Sequence, residues 1–204
     1  SNPTRIVLSA VNRGQSDIYT MDTRSTTVRP VTNDPFDDLQ PTYVSMGARE
    51  GIIWSSNRPL PKLNTGKGDS LLPTGHYDLY FLNENGDGIN QVINLTQTPD
   101  YDEWYASPAD EEQFIFLSPR NGIYNQFAGH IDTTFSHYEY TVFFRDSIRV
   151  YRNLDYPVWA AQQQGIIDSY TVYREVKDTV FTYPVSNWDR SILEQDINNK
   201  RNKQ

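Results

Sequence analysis

Carboxylates and arginines return together along this 204-residue chain. Asp34, Asp37 and Asp38 share one polar turn, Asp100, Asp102 and Glu103 another, and Asp189 lies in a third. Arg13, Arg58, Arg120 and Arg190 stand at the ends of neighbouring runs. Three kinds of chemistry suit such groups. Several carboxylate oxygens can hold Ca²⁺, two carboxyls across a sugar can hydrolyse a glycoside, and an arginine fork can clamp a carboxylate through parallel N–H···O bonds. Asp37-Asp38 and Asp102-Glu103 are adjacent in sequence, which does not set two carboxyls across a substrate, and no one loop supplies a calcium-ligand set. Asn83-Glu-Asn-Gly-Asp-Gly88 imitates the start of an EF-hand but reads as a tight hairpin turn. The repetition favours arginine forks that tie turns together, with a docking rim for a partner's basic segment as the functional counterpart.

Other catalytic sets are poorly supplied. There is no Gly-x-Ser-x-Gly elbow, and His76, His130 and His137 form no closely spaced ligand pair, although His130 and His137 flank a short segment that a bend would fold on itself. The chain has no cysteine, which excludes disulfides and thiolate metal sites. No catalytic residue, metal or cofactor is therefore assigned.

The elements that must position these groups are repeats. Ile6-Val-Leu-Ser-Ala-Val-Asn-Arg13 leads to Asp17-Ile-Tyr, Ile52-Ile-Trp-Ser-Ser-Asn-Arg58 to Asp78-Leu-Tyr, and Phe114-Ile-Phe-Leu-Ser-Pro-Arg120 to Asn125-Gln-Phe127. A second landmark follows in Pro30-Val-Thr to Asp38-Leu-Gln-Pro-Thr-Tyr43 and in Asn94-Leu-Thr to Glu103-Trp-Tyr-Ala-Ser-Pro108, with an echo in Tyr183-Pro-Val-Ser-Asn-Trp-Asp-Arg190. Such recurrence signals a repeat architecture. Aromatics at 13% and the lack of a long helical stripe suit an all-β chain. Only Val158-Trp-Ala-Ala-Gln-Gln-Gln164 could turn helical. Two insertions break the period: residues 59–76, rich in Gly, Pro and Lys, read as a loop, and 133–182, rich in Tyr, Phe, Val and Thr, read as strands or hairpin arms.

On these landmarks the chain resembles the TolB-type β-propeller repeat. The resemblance implies a partial propeller of about three four-stranded antiparallel blades, with a long β-rich insertion in the third. Residues 1–38 would give strands B to D of a first blade, 39–98 a second blade, 99–190 a third with insertion 133–182, and 191–204 the innermost strand of a next blade with a tail. It implies that Asp38 and Glu103 approach the channel mouth and that Trp54 and Trp104 pack between blades. An open arc exposes two sheet edges, so self-association is a hazard.

A net charge of −8 and a pI near 4.8 argue against nucleic acid, whose binding draws on many Lys and Arg contacts. No apolar run reaches the length of a membrane span. The resemblance implies a non-catalytic scaffold for a protein or peptide partner, in the periplasm or on the cell surface of a Gram-negative bacterium. The candidate partner-binding residues are Arg13, Asp38, Arg58, Glu103, Arg120, Trp159, Trp188 and Arg190. The alternative is the propeller portion of a larger hydrolase, such as a prolyl-peptidase-like or carbohydrate-active enzyme.

Overall fold

Alternating β-branched and aromatic residues make strands here because successive side chains leave opposite faces, and a sheet covered on both sides buries both sets. The computed structural model describes residues 4–12, 14–63, 74–85, 91–152, 159, 162 and 165–195, and these are all-β. The chain divides into a first unit, Ser1–Ile131 with Val180–Gln204, and a second, Asp132–Thr179.

In the first unit, β1 (Arg5–Asn12), β2 (Gln15–Asp22) and β3 (Val28–Pro30) form one sheet in that order. A second sheet is the meander of β4 (Asp38–Met46), β5 (Arg49–Ser56), β6 (Asp78–Asn83) and β7 (Gln91–Asn94). The third begins with β8 (Trp104–Pro108), β9 (Gln113–Ser118) and β10 (Asn125–Phe144), and β11 (Ile148–Arg152) and β12 (Ile167–Pro184) both pair with β10. The ladders from β1 to β11 are antiparallel, and no sheet among the described residues closes on itself.

The second sheet is the centre of the core. On one face Ile52, Trp54, Tyr80 and Leu82 pack with Ile18 of β2. On the other, Ile53, Leu79 and Phe81 pack with Phe114, Phe116 and Phe127 of the third sheet. Trp54 and Tyr80 are direct cross-strand neighbours with ring centroids 6.1 Å apart. Burying a side chain of this size stabilises by roughly 1.5–3 kcal/mol, so the two-faced middle sheet carries much of the folding energy.

β4 and β8 are irregular in the same way. Each register shifts just after its start, between Leu39 and Thr42 and between Trp104 and Ser107. Gln40 and Tyr105 take positive φ values of 51° and 55° at these bulges, a conformation that costs a non-glycine residue about 1–2 kcal/mol. The Tyr105 N–H donates to Gln40 Oε1 at 2.9 Å, which joins the two bulges.

In the second unit β10 and β11 pair from Glu139↔Arg152 to Phe143↔Ile148, and Val142 is fully buried. In the aromatic-rich stretch β10, β11 and β12 are thus strands. Two sequence expectations end differently. Residues 191–195 form no strand, because a β-ladder needs a second strand alongside and none lies there among the described residues; 196 and 197 lie outside them. Of the segment read as helical, only 159 and 162 are described. No helix among the described residues is long and apolar enough to cross a membrane.

Gly51 shows how closely β5 and β6 approach: a Cβ there would stand 1.8 Å from the Leu82 carbonyl oxygen. Gly51→Ala is expected to cost roughly 3 kcal/mol or more, at the upper end of overpacking effects. Gly47→Ala meets no neighbour within 4 Å and should lose only about 1–2 kcal/mol from its positive φ. Urea unfolding of the two variants checks the order.

Candidate functional site

The carboxylates and arginines meet, but inside the protein. Asp38 opens β4 and is paired in register with Ser56 at the end of β5, which brings Arg58, two residues on, back over the carboxylate. Arg58 Nη2 donates to both Asp38 oxygens at 2.8 and 2.7 Å, and Nη1 donates to Asp34 Oδ2 at 3.2 Å. Its Nε donates to Ser56 Oγ at 3.0 Å and Nη1 also to the Lys62 carbonyl at 2.7 Å. Trp54 Nε1–H donates to Asp38 Oδ1 at 2.9 Å. The guanidinium carbon sits 5.6 Å from the Trp54 and Tyr80 ring centres and 5.7 Å from that of Phe36. The side chains of Arg58, Asp34 and Asp38 expose nothing to solvent.

One sheet later the pattern repeats. Glu103 immediately precedes β8, and Ser118 ends β9 two residues before Arg120. Arg120 Nε and Nη2 donate to Glu103 Oε1 at 3.2 and 3.1 Å, and Ser118 Oγ donates to the same oxygen. Thr98 Oγ1 donates to Glu103 Oε2, and Arg120 Nη1 donates to Thr182 Oγ1 at 3.0 Å. Phe116 and Phe127 flank the guanidinium at 5.5 and 5.2 Å. The Glu103 side chain is fully buried.

A second motif, invisible at fixed spacing, recurs three times. The Ile18, Leu79 and Gln126 N–H groups donate to Thr32, Thr96 and Ser186 hydroxyl oxygens at 2.9, 2.8 and 2.9 Å. Those hydroxyls donate to Asp17, Asp78 and Asn125 Oδ1 at 3.3, 3.1 and 3.0 Å. The N–H groups of Val31, Leu95 and Val185 return to the carbonyls of Ile18, Leu79 and Gln126. The first two latches hold the connections that lead to the next sheet, and the third holds the connection that leads to residues 191–195. A hydroxyl that both accepts and donates satisfies a main-chain amide and a side-chain carboxylate or amide oxygen at once.

These bonds correct the sequence alignment at two places. Ala10 faces Asp17 as Ser56 faces Asp78 and Ser118 faces Asn125, so the arginine position of β1 is Asn12. Arg13 is one residue further on and lies outside the described residues. At the other end, the Tyr77 and Tyr124 N–H groups donate to Asp102 Oδ1 and Ser191 Oγ, and the Glu103 and Ile192 N–H groups donate to the Tyr77 and Tyr124 carbonyls. Ile192, not Asp189, therefore holds the third carboxylate position.

The forks are structural. Asp38 and Glu103 have no exposed surface, so neither can line a water-filled mouth. Burial pushes both carboxyls above their ordinary values, while Arg58 and Arg120 pull them back. Among the described residues no group of three or more His, Cys, Asp or Glu is placed to hold a metal ion. His76 pairs with Asp102 at 3.0 Å, His130 stacks on Phe181, and His137 meets Ser136 Oγ. Trp188 is anchored through its N–H to Asn125 Oδ1 with its ring exposed, and Trp159 and Arg190 are also exposed. In the second unit Tyr138, Ile148, Val150 and Tyr173 are exposed on strands. Comparison with known proteins found no matching family model, no matching curated protein and no matching solved structure.

Removing one partner of a buried fork should be severe. Arg58→Ala is expected to cost about 3–5 kcal/mol because it strands Asp38 and Asp34, and replacing Arg58, Asp38 and Asp34 together by apolar residues should recover much of it in urea unfolding. A raised folded-state pKa means the folded chain holds the Glu103 proton more tightly than the unfolded chain does. That contribution is present below the ordinary glutamate range and is lost as pH rises through the raised value. Glu103→Gln should therefore flatten the fall of stability with rising pH over that window, measured as unfolding midpoint against pH.

Proposed function

We propose that this chain is a segment of a TolB-like β-propeller that acts as a non-catalytic scaffold for a protein or peptide partner in the bacterial envelope. Three consecutive antiparallel sheets laid face to face, with matching Thr–Asp latches at the two junctions between them, support the propeller reading. The observation that carries the binding reading is the division of polar and aromatic groups. Arg58, Asp34, Asp38 and Glu103 are spent on fork pairs inside the core and Arg120 is spent on Glu103 from a half-buried position, while Tyr138, Val150, Tyr173, Trp159 and Trp188 are left in solvent.

Exposed aromatic side chains are what protein interfaces use as anchors, and apolar neighbours fill the patch around them. The docking surface is therefore aromatic, and the buried arginines and carboxylates set its scaffold. The net charge of −8 makes a polyanion an unfavourable partner. A hydrolase portion would need polar groups open to substrate, which the two paired arginines do not provide.

Affinity capture from Gram-negative periplasmic extract tests this reading. Wild type is expected to retain an envelope protein that a Tyr138→Ser, Val150→Ser, Tyr173→Ser variant loses, with both proteins equally folded by circular dichroism. Equal capture by the two, or turnover of peptide or glycoside reporters by the purified chain, would contradict it.

A further inference from the structure

The hairpin of β10 and β11 reverses the charge balance of the chain around it. From Phe143 to Arg152 stand three arginines, Arg145, Arg149 and Arg152, and one acid, Asp146, whereas the whole chain has 26 Asp and Glu against 18 Lys and Arg. Arg152 lies 3.7 Å from Glu139, but neither Arg145 nor Arg149 has an ion-pair partner among the described residues.

The tip is narrow and closes on itself. Strand pairing runs to Phe143↔Ile148, and the Phe144 N–H donates to the Ser147 carbonyl at 2.8 Å, which leaves Arg145 and Asp146 as a two-residue turn. Side chains of directly paired residues share a face. Phe143 with Ile148 and Thr141 with Val150 therefore line one face, and Ile148 is 65% and Val150 57% exposed. Phe144 lies on the other, where the Arg149 guanidinium carbon stands 5.5 Å from its ring centre. Held against a ring, this guanidinium keeps its N–H groups for an outside acceptor.

Aliphatic and aromatic side chains beside unpaired arginines match the boundary of a bilayer with anionic headgroups. There the apolar groups enter the acyl edge, the arginine stems lie along it and the guanidinium meets phosphate. A protein partner fits the tip less well, because a stable interface takes about 800 Å² from each side and a two-residue turn with its last rungs presents only part of that. Nucleic acid would find no stacking platform in Ile148 and Val150. Asp146 alone opposes the contact, and its Oδ1 already accepts from Ser147 Oγ at 3.2 Å.

We propose that the β10–β11 tip docks this chain onto an anionic lipid surface, with Ile148 entering the headgroup boundary and Arg145 and Arg149 meeting lipid phosphates. The contact is peripheral and spans nothing. It depends neither on the propeller reading nor on a protein partner.

Flotation of the full chain with vesicles is the test. Vesicles of mixed phosphatidylglycerol and phosphatidylcholine should carry the chain upward at low salt, pure phosphatidylcholine vesicles should not, and added salt should release it. Arg145→Gln and Arg149→Gln should each weaken the partition about fivefold, and Ile148→Asp should abolish it, with circular dichroism unchanged in all three. Absence of binding at low salt, equal binding to both kinds of vesicle, or full retention by the substituted chains overturns the proposal. A chain that ignores both vesicles, but loses its captured envelope protein on Arg145→Gln with Arg149→Gln, also overturns it and makes the tip part of a protein interface. Selective vesicle binding without capture of any envelope protein supports the lipid contact and counts against the scaffold reading alone.

Discussion

A guanidinium buried against a carboxylate is the constraint on which the second and third sheets depend. Arg58 is held by Asp38 and Asp34 and lies among the rings of Trp54, Tyr80 and Phe36. A cation with no exposed surface is tolerable only while both its hydrogen-bonding arms and its flat faces are occupied. The fork therefore fixes three things at once: the start of β4, the turn after β5 and the packing of the aromatic face. Arg120 imposes the same conditions on Glu103, Ser118, Phe116 and Phe127. Such pairs add little net stability over apolar residues, but they penalise any register that leaves one partner alone.

The latches complete this arrangement from the opposite end of each sheet. Where a fork sets the beginning of an inner strand, the Asp17, Asp78 and Asn125 latches set the chain that leaves the outer strand. Together they specify how one sheet hands the chain to the next. Polar groups that a reader of sequence would assign to ligand binding are consumed in that handover. Apolar and aromatic side chains that these bonds do not engage, Tyr138, Val150 and Tyr173 among them, stand exposed in the second unit.

Much of this was legible in the residues. Strand positions followed from alternation, and forks between arginines and turn carboxylates were expected from their recurrence; which carboxylate each arginine takes, Asp38 for Arg58 and Glu103 for Arg120, came from the structure. The latches were hidden because their partners stand 15, 18 and 61 residues apart, the last separation spanning the whole second unit. Arg13 was misplaced by one residue because β1 turns directly into β2, with Asn12 facing Gln15 and Gly14 at a φ of 88°, whereas the other two copies have longer connections. Asp189 looked like the third acid because it lies in a similar polar turn, but backbone bonds at Tyr124 give that role to Ile192. Burial could not be read from composition, so residues expected at a channel mouth are found inside the core.

The account stands or falls on whether the two guanidinium groups are locked. Side-chain ¹⁵N NMR of the native chain reads this directly, through the Nε–H and Nη–H₂ resonances of Arg58 and Arg120. Locked forks predict resolved Nη–H signals, slow rotation about Nε–Cζ, and Nε–H protons that exchange far more slowly than those of the exposed Arg190. Averaged Nη–H signals and rapid Nε–H exchange at Arg58 would contradict a buried, fully paired cation.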